Sequence, residues 1–188
     1  QRAWPLTGTA DLMAYLLDAN VFIQAKNLQY GFDFCPAFWD WLVLMHGAGS
    51  VFSIRQVGEE LQAGEDDLAA WAHARGEGFF LPPDASVLTA AARVSAWVAG
   101  QQYEPVAVNT FLQIADYWLV AFAAAAGHTV VTHEVPANST RKIKIPNVCV
   151  GLGVPFMTPY QMLRQERARF VLGASALPGT SAVPAPLI

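Results

Sequence analysis

Five short, mainly apolar runs punctuate this chain, and between them lie stretches with helical spacing. The runs are AYLLD (14–18), VFSI (51–54), FFLP (79–82), TVVTHE (129–134) and VPFM (154–157). Each is too short for an ordinary helix and rich in residues that suit strands. Strands read as continuous apolar runs when both faces of their sheet are covered, and strands alternating with helices need parallel crossovers. The expectation is an α/β fold, a three-layer α/β/α sandwich with a central parallel sheet.

The intervening segments supply the helices. Pro36 suits a first helical position and Gly47 and Gly49 a stop, so residues 36–46 form a helix with Phe34, Phe38, Trp41, Leu42 and Met45 at its spacing. Ser53, with Gln56 three residues on, reads as a capping box for the next helix. Asp66 caps a helix to about Arg75. Residues 85–99 place Val87, Val94 and Val98 on one face. Residues 106–126 form one long apolar helix, Pro146 opens a short one, and Thr158 with Pro159 starts the last. No glycine-rich phosphate loop of either common pattern occurs.

This pattern occupies residues 13–173. Met13 suits a native start, and residues 1–12 lack the charged-then-apolar order of a signal peptide, so they read as an extension outside the fold. Residues 174–188 (ASALPGTSAVPAPLI) read as a low-complexity tail. The longest apolar run, 117–127, is shorter than the roughly 20 residues a bilayer requires, so no membrane span is expected. The two cysteines, Cys35 and Cys149, form no CxxC pair and suit free thiols in a reducing, cytoplasmic compartment. A net charge of −4 argues against a protein that coats nucleic acid. It leaves open an enzyme that holds nucleic acid locally around a metal. With 54% apolar residues, the composition also leaves room for a homodimer.

Ligands of parallel sheets sit beyond the carboxyl ends of the strands, and two acids fall there by fold logic alone: Asp18 after the first strand and Glu134 after TVVTHE. Asp116, on the 106–126 helix, has Leu112, Gln113, Leu119 and Val120 as its helical neighbours. No Lys or Arg lies between Arg93 and Arg141 to offset its charge. On the VGEEL helix, Val57 and Leu61 define the inward face. At about 100° per residue Glu59 points away from that face and Glu60 flanks it. Four carboxylates in one pocket raise each other's pKa unless a divalent cation is present. All-oxygen donor sets suit Mg²⁺ or Mn²⁺, and such a centre suits phosphodiester hydrolysis by a metal-activated water.

YLLDANVFI (15–23), VGEEL (57–61), ADYWLVAFA (115–123) and VVTHE (130–134), in that order, resemble the signature of the PIN-domain superfamily. The closest resemblance is to a bacterial PIN-like group labelled as a domain of unknown function, through YGFDFCPAFWDWL, RKIKIPNVC and RARFVLG. The resemblance implies a Mg²⁺- or Mn²⁺-dependent endoribonuclease. Many such relatives are toxins held in check by a cognate antitoxin. It places Asp18, Glu60 and Asp116 at the three most regular metal-site acids and Glu134 at a fourth, where Asp is commoner and binding through water is an option. Asn20 falls at the position that steadies the first acid, and Thr132 at a hydroxyl beside the site.

Arg141, Lys142 and Lys144 follow the site strand and are candidates for contact with substrate phosphates. Trp39, if exposed, is a candidate for stacking on a base. Arg164, Arg167 and Arg169 read as a solvated helix face, and His128, His133 and Cys149 match no strong zinc signature. RNA is the expected substrate, with DNA left open. Two rivals stand beside the nuclease: a non-catalytic PIN-like interaction module, and phosphoryl transfer of the haloacid-dehalogenase type. The latter usually needs a second Asp where Asn20 stands.

Overall fold

Continuous burial makes the strands. A computed structural model describes residues 13–171, so the expected extension and tail lie outside the described residues. β1 (Tyr15–Leu17) and β4 (Thr129–Val131) are buried at every position, as their unbroken apolar runs require. β2 (Val51–Ile54) lies beside β1, and the two-residue strands β3 (Phe80–Leu81) and β5 (Phe156–Met157) close the edges. The order is β3-β2-β1-β4-β5 and every pairing is parallel.

Helices cover both faces, giving the expected three-layer sandwich. From β1 the chain passes through α1 (Ala19–Gln24), a π-helical turn (Ala25–Gln29) and α2 (Pro36–Gly47) to β2. α3 (Arg55–Gln62) and α4 (Asp67–Phe79) lead on to β3. The chain then returns across the sheet by α5 (Ala85–Ala99), α6 (Pro105–Phe111) and α7 (Ala115–Ala126) to β4. α8 (Ile145–Leu152) joins β4 to β5, and α9 (Pro159–Gln165) follows β5. Right-handed crossovers put the helices of the outward leg on one face and those of the return leg on the other. The main packing agrees: α3 meets α1 and α4, while α5 meets α7 and α8, and α3 touches α7 as well. α8 presents Gly151 to α5, where a Cβ would fall 1.9 Å from the Trp97 ring.

The strand order reverses between β1 and β4, and in doubly wound sheets that switch point opens a crevice at the carboxyl edge. Leu17 pairs with Val131, so the next residues outward, Asp18 and Thr132, emerge side by side.

Several local expectations need correction. Ser53 is no cap: it is fully buried in β2 and its Oγ donates to the Leu17 carbonyl at 2.6 Å. α3 starts after Ile54 with no side-chain cap, and Gln56 Oε1 is buried without a hydrogen-bond partner among the described residues. Trp39 is 3% exposed and its Nε1 donates to the Tyr30 carbonyl, so it is core and cannot stack on a base. Phe34, expected to pack with the 36–46 helix, precedes it and is 65% exposed.

Residues 106–126 are not the single helix expected but form two, α6 and α7, meeting at a 68° bend. No Gly or Pro marks the break. Among the described residues no single helix is long and apolar enough to cross a membrane, and the two free cysteines remain thiols.

Candidate functional site

Asp18 is the centre of the arrangement. It follows β1 directly and is 4% exposed. Its side chain does not cap α1, although a strand-to-helix junction is the usual place for that role. Instead the Thr132 hydroxyl donates to Asp18 Oδ2 at 2.7 Å, and Asn20 Nδ2 donates to the same oxygen. Asn20 also reaches Thr132 Oγ1 at 3.2 Å, and its Oδ1 accepts the His133 backbone N–H at 3.0 Å. The β1 and β4 exits are thereby locked together, and Asp18 has one orientation.

The Thr132 hydroxyl and the Ala19 backbone N–H lower the Asp18 pKa, but they do not win. Burial foremost, and then the charge of Asp116 and that of Glu134, push it up to about 7. Asp116 is half-buried and also raised, to about 6, first by burial and then by the charges of Glu134 and Glu60. Lys142 and Lys144 pull it back in part, so basic residues do approach this acid, although they stand far along the chain.

The helix break explains how Asp116 arrives. As the second residue of α7 it stands in a first turn, at the positive end of the helix dipole, and not in mid-helix between apolar neighbours. An acid in a first turn is an ordinary helix-start signal, and it was the one mark in the sequence that could have located the break.

Glu60 lies on the exposed side of α3, and its pKa is raised by burial around its carboxyl. Its repulsion of Asp116 places it at the rim of the same cluster. Glu59 lines a separate groove with Arg55, Gln62 and His73.

Glu134 arrives differently. Its side chain is 14% exposed, with Oε1 taken by Lys144 Nζ and Oε2 by the Ile145 backbone N–H at 2.9 Å. The Glu134 backbone N–H donates to Thr132 Oγ1. Both carboxylate oxygens are therefore engaged, and the hydrogen bond from Lys144, whose own pKa this raises, partly neutralises the group. Lys144 is thus a partner of Glu134 before it is a phosphate ligand. No sequence pattern signals a contact that closes a ten-residue loop.

Arg141 is exposed and pairs with Glu104 at 3.3 Å. With Lys142 it borders a cavity of about 280 Å³ that also contains Asp116, Glu134, Phe111 and Ile114. The four expected acids thus share one field at one edge, with Asn20 and Thr132 bonded to Asp18. No group of three or more His, Cys, Asp or Glu side chains among the described residues is placed to hold a metal ion at once. The donor chemistry still suits a hard cation: a buried Asp18 and a half-buried Asp116, both raised first by burial and then by neighbouring carboxylates, with neutral donors behind Asp18.

No curated protein and no solved structure matches the chain. Residues 15–170 match the model of a family described as a domain of unknown function, DUF4411, and this chain belongs to that family.

Proposed function

We propose that this protein is a PIN-like, Mg²⁺- or Mn²⁺-dependent endoribonuclease of the cytoplasm. The observation that carries the reading is Asp18: a carboxylate 4% exposed, at the switch point of a parallel sheet, repelled by Asp116 and Glu134 and given only neutral hydrogen-bond donors. Such a group is costly to ionise unless a cation joins it. Mg²⁺ keeps several waters and is commonly held by one or two carboxylates. Asp18 and Asp116 are the direct donors in this proposal, with Glu60 and Glu134 acting through water, which accords with the lack of a three-residue cage.

The bound ion would supply Lewis acidity and neutralise charge on the phosphate oxygens. The remaining work falls to the chain. Asn20 and Thr132 hold Asp18 Oδ2 in place. Lys144 and the Ile145 N–H hold Glu134 at the mouth of the cavity. Lys142, exposed beside Asp116, stands where it would meet a substrate phosphate. Near neutral pH without a cation Asp18 is partly protonated, and metal binding would release that fraction of a proton.

The test is incubation of mixed RNAs and single-stranded DNA with Mn²⁺ or with chelator. Asp18→Asn and Asp116→Asn should each abolish cleavage while folding persists. Full activity in both variants would remove the assignment. A toxin role with a cognate antitoxin, and a homodimer, belong to the same proposal and are read by co-purification and sedimentation.

The engaged state of Glu134 and the missing three-donor cage favour a second reading, a non-catalytic PIN-like interaction module. A module without a site should show no Mn²⁺-dependent rise in melting temperature.

A further inference from the structure

Beside the acidic site lies a second groove, and it is basic. Tyr30, Tyr160, Arg164, Arg167, Arg169 and Phe170 line a volume of about 450 Å³. Tyr160 is the second residue of α9, which starts where β5 ends, so it stands at the same sheet edge as Asp18 and Glu134. Its ring centre is 5.6 Å from that of His133. His133 in turn shares a recess with Asn20, Glu134 and Lys144. A continuous surface path therefore runs from the carboxylates past His133 and Tyr160 to the arginines.

Three observations set this groove apart from a solvated helix face. None of the three guanidinium groups makes an ion pair among the described residues, in a chain whose net charge is −4. The acid between them, Glu166, accepts the Tyr15 hydroxyl instead. Arg167 has φ 53°, the left-handed conformation that favours glycine at a helix end, and Ala168 N–H closes α9 on the Leu163 carbonyl there. A long side chain at a position where glycine would relax the backbone points to use of that side chain. The groove also alternates cations with rings, and Tyr160 is 39% exposed.

We propose that this groove binds the single-stranded nucleic-acid substrate on one side of the cleavage point. Arg164, Arg167 and Arg169 meet successive backbone phosphates, and Tyr160 stacks on a base. Guanidinium forks match phosphate geometry, and exposed rings accept any base, so the groove holds single strands with little sequence preference. The location of the cleavage point rests on the nuclease reading; the binding itself does not.

The experiment measures binding of a fluorescent oligouridine to the full chain in chelator, where no metal-dependent cleavage competes. The triple variant Arg164→Gln, Arg167→Gly, Arg169→Gln should bind about tenfold more weakly or worse, and its log–log salt slope should fall by about 2, the share of three single-strand phosphate contacts. Arg167→Gly alone should weaken binding while leaving the melting temperature equal or higher, which a merely structural arginine would not do. Unchanged affinity and slope in the triple variant would overturn the proposal. So would equal affinity for a duplex, or capture of polyglutamate and not oligouridine. Weakened binding in the variant, together with no cleavage by the natural protein under any metal, would keep the groove and sink only the nuclease reading.

Discussion

Replacing Asp18 by asparagine should stabilise the metal-free protein at alkaline pH while destroying its proposed chemistry. The buried carboxyl titrates at about 7 where an ordinary one titrates at 3.8. At about 1.4 kcal/mol per pH unit, the gap corresponds to about 4 kcal/mol. The sign follows from the direction. A folded-state pKa above the unfolded value means full stability below the unfolded pKa and a loss as pH rises through the folded one. The natural protein in chelator should therefore lose stability from about pH 4 to about pH 7, with the full deficit present by about pH 8. Asparagine keeps an acceptor oxygen for Thr132 and Asn20 and carries no charge. Asp116 is raised in the same window and stays, so the pH slope of the variant shrinks but does not vanish. For a chain of this size each kcal/mol moves the melting temperature by about 2–4 °C. Because the repulsion is shared with Asp116, a gain of roughly 5–15 °C at alkaline pH is expected. Scanning fluorimetry of both proteins in chelator across this pH range checks it. A variant less stable than the natural protein at alkaline pH, or a difference that does not change with pH, would refute the electrostatic argument.

Other consequences are separable from this one. Lys144→Met should cost about 1–3 kcal/mol in denaturant unfolding, since it leaves the Glu134 carboxylate, 14% exposed, without its cation; no loss would mean that the ion pair does not hold the 134–144 loop. Gly151→Ala should destabilise by about 1–3 kcal/mol, because its Cβ would fall 1.9 Å from the Trp97 ring and either the half-buried indole or α8 must shift; a neutral result would contradict the close approach of α8 to Trp97. Ser53→Ala should cost about 1–2 kcal/mol through the lost bond to the buried Leu17 carbonyl, whereas a helix cap at that position would appear as lost helicity near α3.

What could be read from the residues was mostly what a strand or a helix end needs locally. Unbroken apolar runs gave all five strand positions, and with them the carboxyl-edge placement of Asp18 and Glu134. Thr158 does cap α9 in a full capping box with Gln161, because both halves of that motif lie within four residues. Ser53 shows the limit of the same logic. A serine three residues before glutamine fits a cap, but burial in β2 and a free carbonyl on β1 decide its bond. The α6–α7 break was hidden because nothing between Val106 and Ala126 resists a helix. Tertiary packing, with Phe111 buried and Ile114 exposed, makes the turn. The Lys144–Glu134 pair depends on how a ten-residue loop closes, and the arginine groove on how residues 160–170 fold back beside Tyr30; no local spacing encodes either.

In the proposed mechanism a divalent cation offsets the burial of Asp18 and its repulsion by Asp116. Calorimetric titration of Mn²⁺ into the natural protein and into Asp18→Asn and Asp116→Asn addresses it with no assumption about substrate. One saturable site with proton release near neutral pH, absent from both variants, is the expected outcome. No binding by the natural protein, or undiminished binding by both variants, would rule out a cation held by Asp18 and Asp116.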